Sequence, residues 1–183
     1  MVGYNMRMPG PIPKQLVWKK DGYFWFLPQD VNIPPKKPLI HLIPRDEWGA
    51  LPAKSETPMK LPLNHIRYNQ TMTDTCIAKE DCIKIVKDIQ KQHLDKGLPD
   101  IKYNFLIGGD GTFYEGRGWN NKPEIHAALK DKDYYDVAYI GKYGDDFPSW
   151  DQSVAGTKFI KFGLEKEYIN RGHGITNLME ISD

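Results

Sequence analysis

Cys76 and Cys82 are the only two cysteines of the chain, six positions apart, and three chemistries are open to them. They can be two unrelated buried thiols. They can be metal thiolates, although a zinc site needs further Cys or His nearby and the neighbourhood TDTCIAKEDCIK supplies none. They can form a short-loop disulfide, which implies an oxidising compartment. Closing so little chain stabilises toward the low end of about 2–4 kcal/mol, so such a bond serves to pin a loop. Just upstream, Asn69-Gln70-Thr71 spells N-x-T, the acceptor pattern for N-glycosylation. The pattern has chemical meaning only in a secreted chain.

The chain that must position these residues has 183 of them, enough for one compact domain or one domain with an appendage. Hydrophobic residues make up 40% and charged residues 27%, the mix of a globular protein rather than a disordered or fibrous one. Lys plus Arg number 25 against 24 Asp plus Glu, so the net charge of +1 gives no general pull toward nucleic acid or anionic membrane. No apolar run approaches the roughly 20 residues of a membrane helix. The opening MVGYNMRMPGPIPKQ holds Pro and Gly where a signal peptide needs an apolar core. A mature ectodomain would read the same way.

Residues 1–40 are Pro-rich (PGPIP, FLP, NIPPKKP) and form an irregular lead segment, with Tyr23, Phe24, Trp25 and Phe26 free to dock on a neighbouring surface. Strand patterns follow at Leu39–Ile43 and His65–Thr71. A helix starts near Asp81 on the spacing of Ile83, Val86, Ile89, Gln90 and His93, and Gly97 with Pro99 ends it. The hairpin is Tyr103–Ile107, a Gly109-Asp110-Gly111 turn, and Thr112–Glu115. Tyr135–Tyr143 is a further strand and Trp150–Phe162 a second helix, lightly interrupted by Gly156. Beyond Gly163 the pattern dissolves.

PRDEWGA, C-x5-C, IQKQHLDKG, DIKYNFLIGGDG, YEGRGWN and YIGKY stand in an order that resembles the peptidoglycan recognition proteins, from about Ile43 to about Gly163. The resemblance implies an α/β domain over 41–183. Its central mixed β-sheet is flanked by helices and is similar to N-acetylmuramoyl-L-alanine amidases. It also implies that Cys76 and Cys82 form a disulfide, and that a groove over the sheet holds a muropeptide stem. Catalytic family members hold zinc with a His from a His-His-Thr strand, a His after the GRGW segment and a Cys near the C-terminus, leaving an open position for water.

Aligned on Thr71, the His-His pair becomes Asn69-Gln70, and a neutral amide oxygen is a poor substitute for imidazole on zinc. His65 shares a face with Asn69 but lies about 13 Å away along the strand. His126 matches the second ligand, with one extra residue before it, and no cysteine follows Cys82. Tyr103 matches the catalytic tyrosine and equally fits a packing role. The resemblance thus implies no enzyme, no metal and no cofactor. Arg117, the Arg of GRGW, retains a guanidinium fork suited to the extra carboxylate of diaminopimelic-type peptidoglycan. The family's Gly-Trp pair is Gly97-Leu98 here, without the aromatic plane. Trp119 matches the family and fits a core role as well. After Gly172-His173 the family's Pro-Gly turn and final helix are replaced by ITNLMEISD, so the C-terminal part is truncated or diverged.

The expected function is non-catalytic recognition of bacterial peptidoglycan in innate immunity, with Asn69, Thr71, Tyr103, Arg117, Trp119 and His126 facing the ligand. The alternative is an interaction module, co-receptor or antagonist, that pairs with a related receptor without binding peptidoglycan. Expected partners are muropeptides and a like or related copy, with no nucleic acid. The expected location is extracellular or a membrane-anchored ectodomain, and Asn69 is a candidate glycosylation site.

Overall fold

Residues 105–107 and 135–140 are apolar, or nearly so, without alternation, the pattern of strands covered on both faces. In a computed structural model, residues 39–125, 129–130, 132–143 and 147–177 are described, together with the backbone of 18–20 and 23–25. The chain divides between Lys37 and Pro38. In the first part, β1 (Trp18–Lys20) pairs antiparallel with β2 (Tyr23–Trp25), with Trp18 opposite Trp25. The lead segment is therefore not wholly irregular: its ladder forms in the stretch 14–27, which holds no proline.

The second part holds β3 (Leu42–Ile43), α1 (Arg45–Trp48), β4 (Leu63–Gln70), α2 (Lys79–Asp95), β5 (Phe105–Ile107), β6 (Phe113–Glu115), β7 (Tyr135–Tyr139), α3 (Trp150–Glu165) and β8 (Ile169–Asn177). One mixed sheet runs in the order β3-β6-β5-β7-β4-β8. Only β5 and β6 pair antiparallel in it. The sheet is packed on both faces. On the α3 side, Leu63, Ile66, Tyr68, Phe105, Ile107, Tyr135 and Val137 meet Ala155 and Phe159. On the α2 side, Leu106, Ala138 and Ile140 meet Val86, Ile89, Cys76 and Cys82. The cysteines form a disulfide between α2 and the segment before it. Among the described residues, no helix is long and apolar enough to cross a membrane.

Several elements differ from the sequence expectation in extent. Strand 39–43 shrinks to Leu42–Ile43, and 135–143 to Tyr135–Tyr139, because Gly141 and Tyr143 leave the ladder to meet side chains of Thr71 and Gln70. The strand expected at His65–Thr71 is β4, Leu63–Gln70. Tyr103 and Asn104 lie outside β5, where the Asn104 side chain links the Gly118 and Asn121 carbonyls of a loop to the Asp136 N–H of β7. α2 starts before Asp81, at Lys79, which sets Glu80 and Asp81 in the first turn at the positive end of the helix. α3 continues through Gly156 to Glu165. A Cβ at Gly156 would come within 2.5 Å of the Tyr139 hydroxyl, so this glycine permits close helix–sheet approach rather than interrupting the helix. The largest correction is β8. Residues past Gly163, expected to have no pattern, form a nine-residue strand parallel to β4.

Candidate functional site

Side-chain alternation along β4 sends His65, Arg67 and Asn69 to the α2 side, opposite the aromatic packing of Tyr68. Asn69 lies beside Ala138 of β7, and His65 beside Gly174 of β8. His65 Nε2 is 2.7 Å from the Thr176 hydroxyl, and burial together with the nearby Lys132 charge lowers its pKa.

Arg67 donates from Nη1 to Asp136 Oδ2 at 2.7 Å, and both groups are buried. Among the described residues, Arg67 Nε and Asp136 Oδ1 have no hydrogen-bond partner. Burial outweighs the pairing with Arg67 and pushes the Asp136 carboxyl up to about 6. Asn104 ties this floor to the loop after β6. Its Oδ1 accepts from the Asp136 N–H, and its Nδ2 donates to the Gly118 and Asn121 carbonyls.

Tyr103 is 2% exposed, so it lines the floor from within rather than facing solvent. Burial first, and the Asp136 charge second, raise its pKa and keep the phenol protonated. The His93 ring on α2 meets Tyr103 edge-on at 5.9 Å, and Lys102 Nζ sits 4.9 Å over the Tyr103 ring. His93 Nδ1 accepts from the Lys102 N–H at 3.3 Å. Burial, then the charges of Lys102, Lys96 and Arg117, lower the His93 pKa to about 4, so the ring is neutral near pH 7. The helical spacing places His93 only among the residues that define α2. Its approach to Tyr103 depends on where α2 crosses the sheet, which spacing does not specify.

Arg117 is committed inward. Nε donates to the Ile101 carbonyl at 2.6 Å, Nη1 to the Lys122 carbonyl at 3.0 Å, and Nη2 meets Glu124 Oε2 at 3.4 Å. Gly116, just before it, has no room for a Cβ, which would strike the Tyr103 carbonyl. Trp119 is on the other side of the sheet. It stacks with Phe159 at 4.8 Å and Tyr168 at 4.6 Å, and packs on Phe105 and Tyr135 in the α3-side core. The structure therefore separates Trp119 from Asn69 and Tyr103. His126 lies outside the described residues.

Thr71 closes the end of β4. Its hydroxyl accepts from the Gly141 N–H at 3.0 Å and is 2.7 Å from the Thr73 hydroxyl, which donates to the Asp74 carbonyl. Two clefts open on the domain, the first at this end of β4. One, of about 420 Å³, is lined by Met72, Asp74, Ile85, Asp88, Gln92 and Lys142. The other, of about 230 Å³, is lined by Lys122, Ile125, Lys130, Lys132 and Asp133. Among the described residues, no group of three or more His, Cys, Asp and Glu is placed to hold a metal ion. The arrangement offers a polar floor with hydrogen-bonding groups and a neutral imidazole, framed by cationic side chains.

No protein-family model matches the chain. Peptidoglycan-recognition protein 2 of Holotrichia diomphalia is 34% identical to it over 126 residues, 68% of this chain and 67% of the relative. Peptidoglycan-recognition protein SC2 of Drosophila simulans is 34% identical over 134 residues, 73% of this chain and 70% of the relative. Among solved structures, peptidoglycan recognition protein LE in complex with tracheal cytotoxin, a monomeric diaminopimelic acid-type peptidoglycan, matches with a TM-score of 0.70. That match has 27% identity over 74% of this chain and 81% of the other. The ectodomain complex of peptidoglycan recognition proteins LCa and LCx with tracheal cytotoxin bound matches with a TM-score of 0.73 and 28% identity, over 78% of this chain and 87% of the other.

Proposed function

This chain belongs to the peptidoglycan recognition protein family, and from that premise we propose that it is a non-catalytic domain that binds muropeptides in innate immunity, outside the cell. The observation that carries this reading is the α2-side floor of β4. There Asn69, not an imidazole, occupies the position where the family's amidases begin their zinc site, while Tyr103, His93 and the buried Arg67–Asp136 pair keep the floor polar. Without an imidazole at this position, a zinc ion lacks one of the three protein ligands that a water-activating site needs. The partly exposed side chains of His65, Asn69 and Thr71 keep hydrogen-bonding groups on this part of the chain, which supports recognition. The protein LE complex shows that a fold of this kind can hold a diaminopimelic-type fragment, and this supports the same ligand class here.

Titration calorimetry with diaminopimelic-type and lysine-type muropeptides, alongside an assay for stem-peptide release in the presence of zinc, tests the proposal. Binding without release is expected. Release of stem peptide by the purified chain would overturn the non-catalytic half.

A second reading is favoured by Arg117. A guanidinium already bonded to two carbonyls and a carboxylate has few donors left for a ligand carboxylate. On this reading the chain pairs with a related receptor, as LCa and LCx do in their ectodomain complex. Absence of muropeptide binding, together with complex formation with a related receptor domain, would select it.

A further inference from the structure

We propose that Asn69 is an N-glycan acceptor, and that copies carrying a glycan there have the α2-side floor closed to muropeptides while unmodified copies keep it open. Asn69-Gln70-Thr71 is the one N-x-Ser/Thr pattern in the 183 residues with no Pro at x. The structure leaves its acceptor atom available. Asn69 Oδ1 accepts from the Gln70 N–H at 2.8 Å, so the carboxamide is turned back on its own backbone. Nδ2 donates to no atom among the described residues and is not among the buried unsatisfied atoms. The side chain is half-buried at the end of β4. On one flank it has Ala138 of β7, and among the described residues no β8 residue is paired with it. A substituent on Nδ2 can therefore leave the sheet without displacing a hydrogen bond.

The Cys76–Cys82 disulfide, an independent observation, marks the oxidising route on which this modification occurs. The donor class is an oligosaccharide on a lipid pyrophosphate. A bond forms between Asn69 Nδ2 and the anomeric carbon, the bond from that carbon to the pyrophosphate oxygen breaks, and the pyrophosphate leaves with the electron pair. Nδ2 gives up one proton. Once attached, the glycan projects from the same face as His65 and Arg67. The occlusion half of the proposal rests on the reading of this face as the muropeptide floor; the modification half does not.

The full chain is secreted from cultured eukaryotic cells and its peptides are mapped by mass spectrometry before and after amidase release of N-glycans in heavy-oxygen water. The expected result is a peptide spanning Asn69 that carries a glycan and shows the isotope-marked Asn69→Asp conversion after release. Recovery of that peptide only at its unmodified mass overturns the proposal. Muropeptide binding is then compared between the secreted chain, the same chain after glycan release, and oxidised chain made in a bacterial cytosol. Loss of binding in the glycosylated form alone is expected. Equal binding in all forms overturns occlusion. Binding by none overturns both occlusion and the muropeptide reading, while the mapped mass still decides the modification.

Discussion

At the scale of single residues, a half-buried group and a buried one make opposite demands on pH. His93 has its pKa lowered from 6.5 to about 4. The unfolded chain binds its proton first, so this group's stability contribution is present above about 6.5 and is lost as pH falls toward about 4. Asp136 has its pKa raised from 3.8 to about 6. The folded chain binds that proton first, so this group favours folding as pH falls through about 6. His93→Gln is expected to be less stable than the parent at about pH 7.5, through loss of the ring edge on Tyr103, with the gap narrowing at about pH 4.5. Urea unfolding at the two values checks this, and a gap that stays constant would show that His93 is not held neutral. Neither group was legible as a perturbed one in the sequence. The fork chemistry of Arg117 is legible from its type, but its three internal contacts come from Ile101 in the segment before β5 and from Lys122 and Glu124 after β6, which only the fold brings together.

Among the elements, the sequence was most informative where local chemistry closes on itself. The start of α3 is such a place: Ser149 accepts from the Gln152 N–H and Gln152 Oε1 accepts from the Ser149 N–H, a capping box written in SWDQ. Ser149 Oγ also donates to the Gly109 carbonyl, tying the helix start to the β5–β6 turn. Ser149→Ala is expected to cost about 1–2 kcal/mol, measured by urea denaturation with an unchanged m value. A larger loss with a lower m would point to partial unfolding of that turn. The apolar core of β5 and the turn at Gly109–Gly111 were likewise readable, because runs covered on both faces and glycine turns are short-range signals. β8 was not. INRGHGITN has two glycines and few apolar residues, and it is a strand because β4 offers it a ladder, not because it favours one. Glycine suits one of these positions in a way only the fold reveals, since a Cβ on Gly174 would meet the His65 ring.

For the whole molecule, the disulfide closes a loop of six-residue separation with both cysteines in the α2-side core. Chain-entropy arithmetic gives about 2 kcal/mol for so short a loop. Reduction is therefore expected to lower the unfolding free energy by about that amount while leaving the transition cooperative, which urea titration of oxidised and reduced chain measures. Loss of the cooperative transition would instead make the bond a condition of folding. The strand order carries a different consequence, one of timing. β4 sits between β7 and β8, which enter the chain at Tyr135 and Ile169. During synthesis, Asn69 leaves the ribosome long before either neighbour exists. At roughly 5–20 residues per second, the interval between Asn69 and the first residue of β8 lasts roughly 5–20 seconds. Once out of the ribosome, and until β7 and β8 follow, β4 lacks both neighbours and its last residues are open to any enzyme that works on the emerging chain.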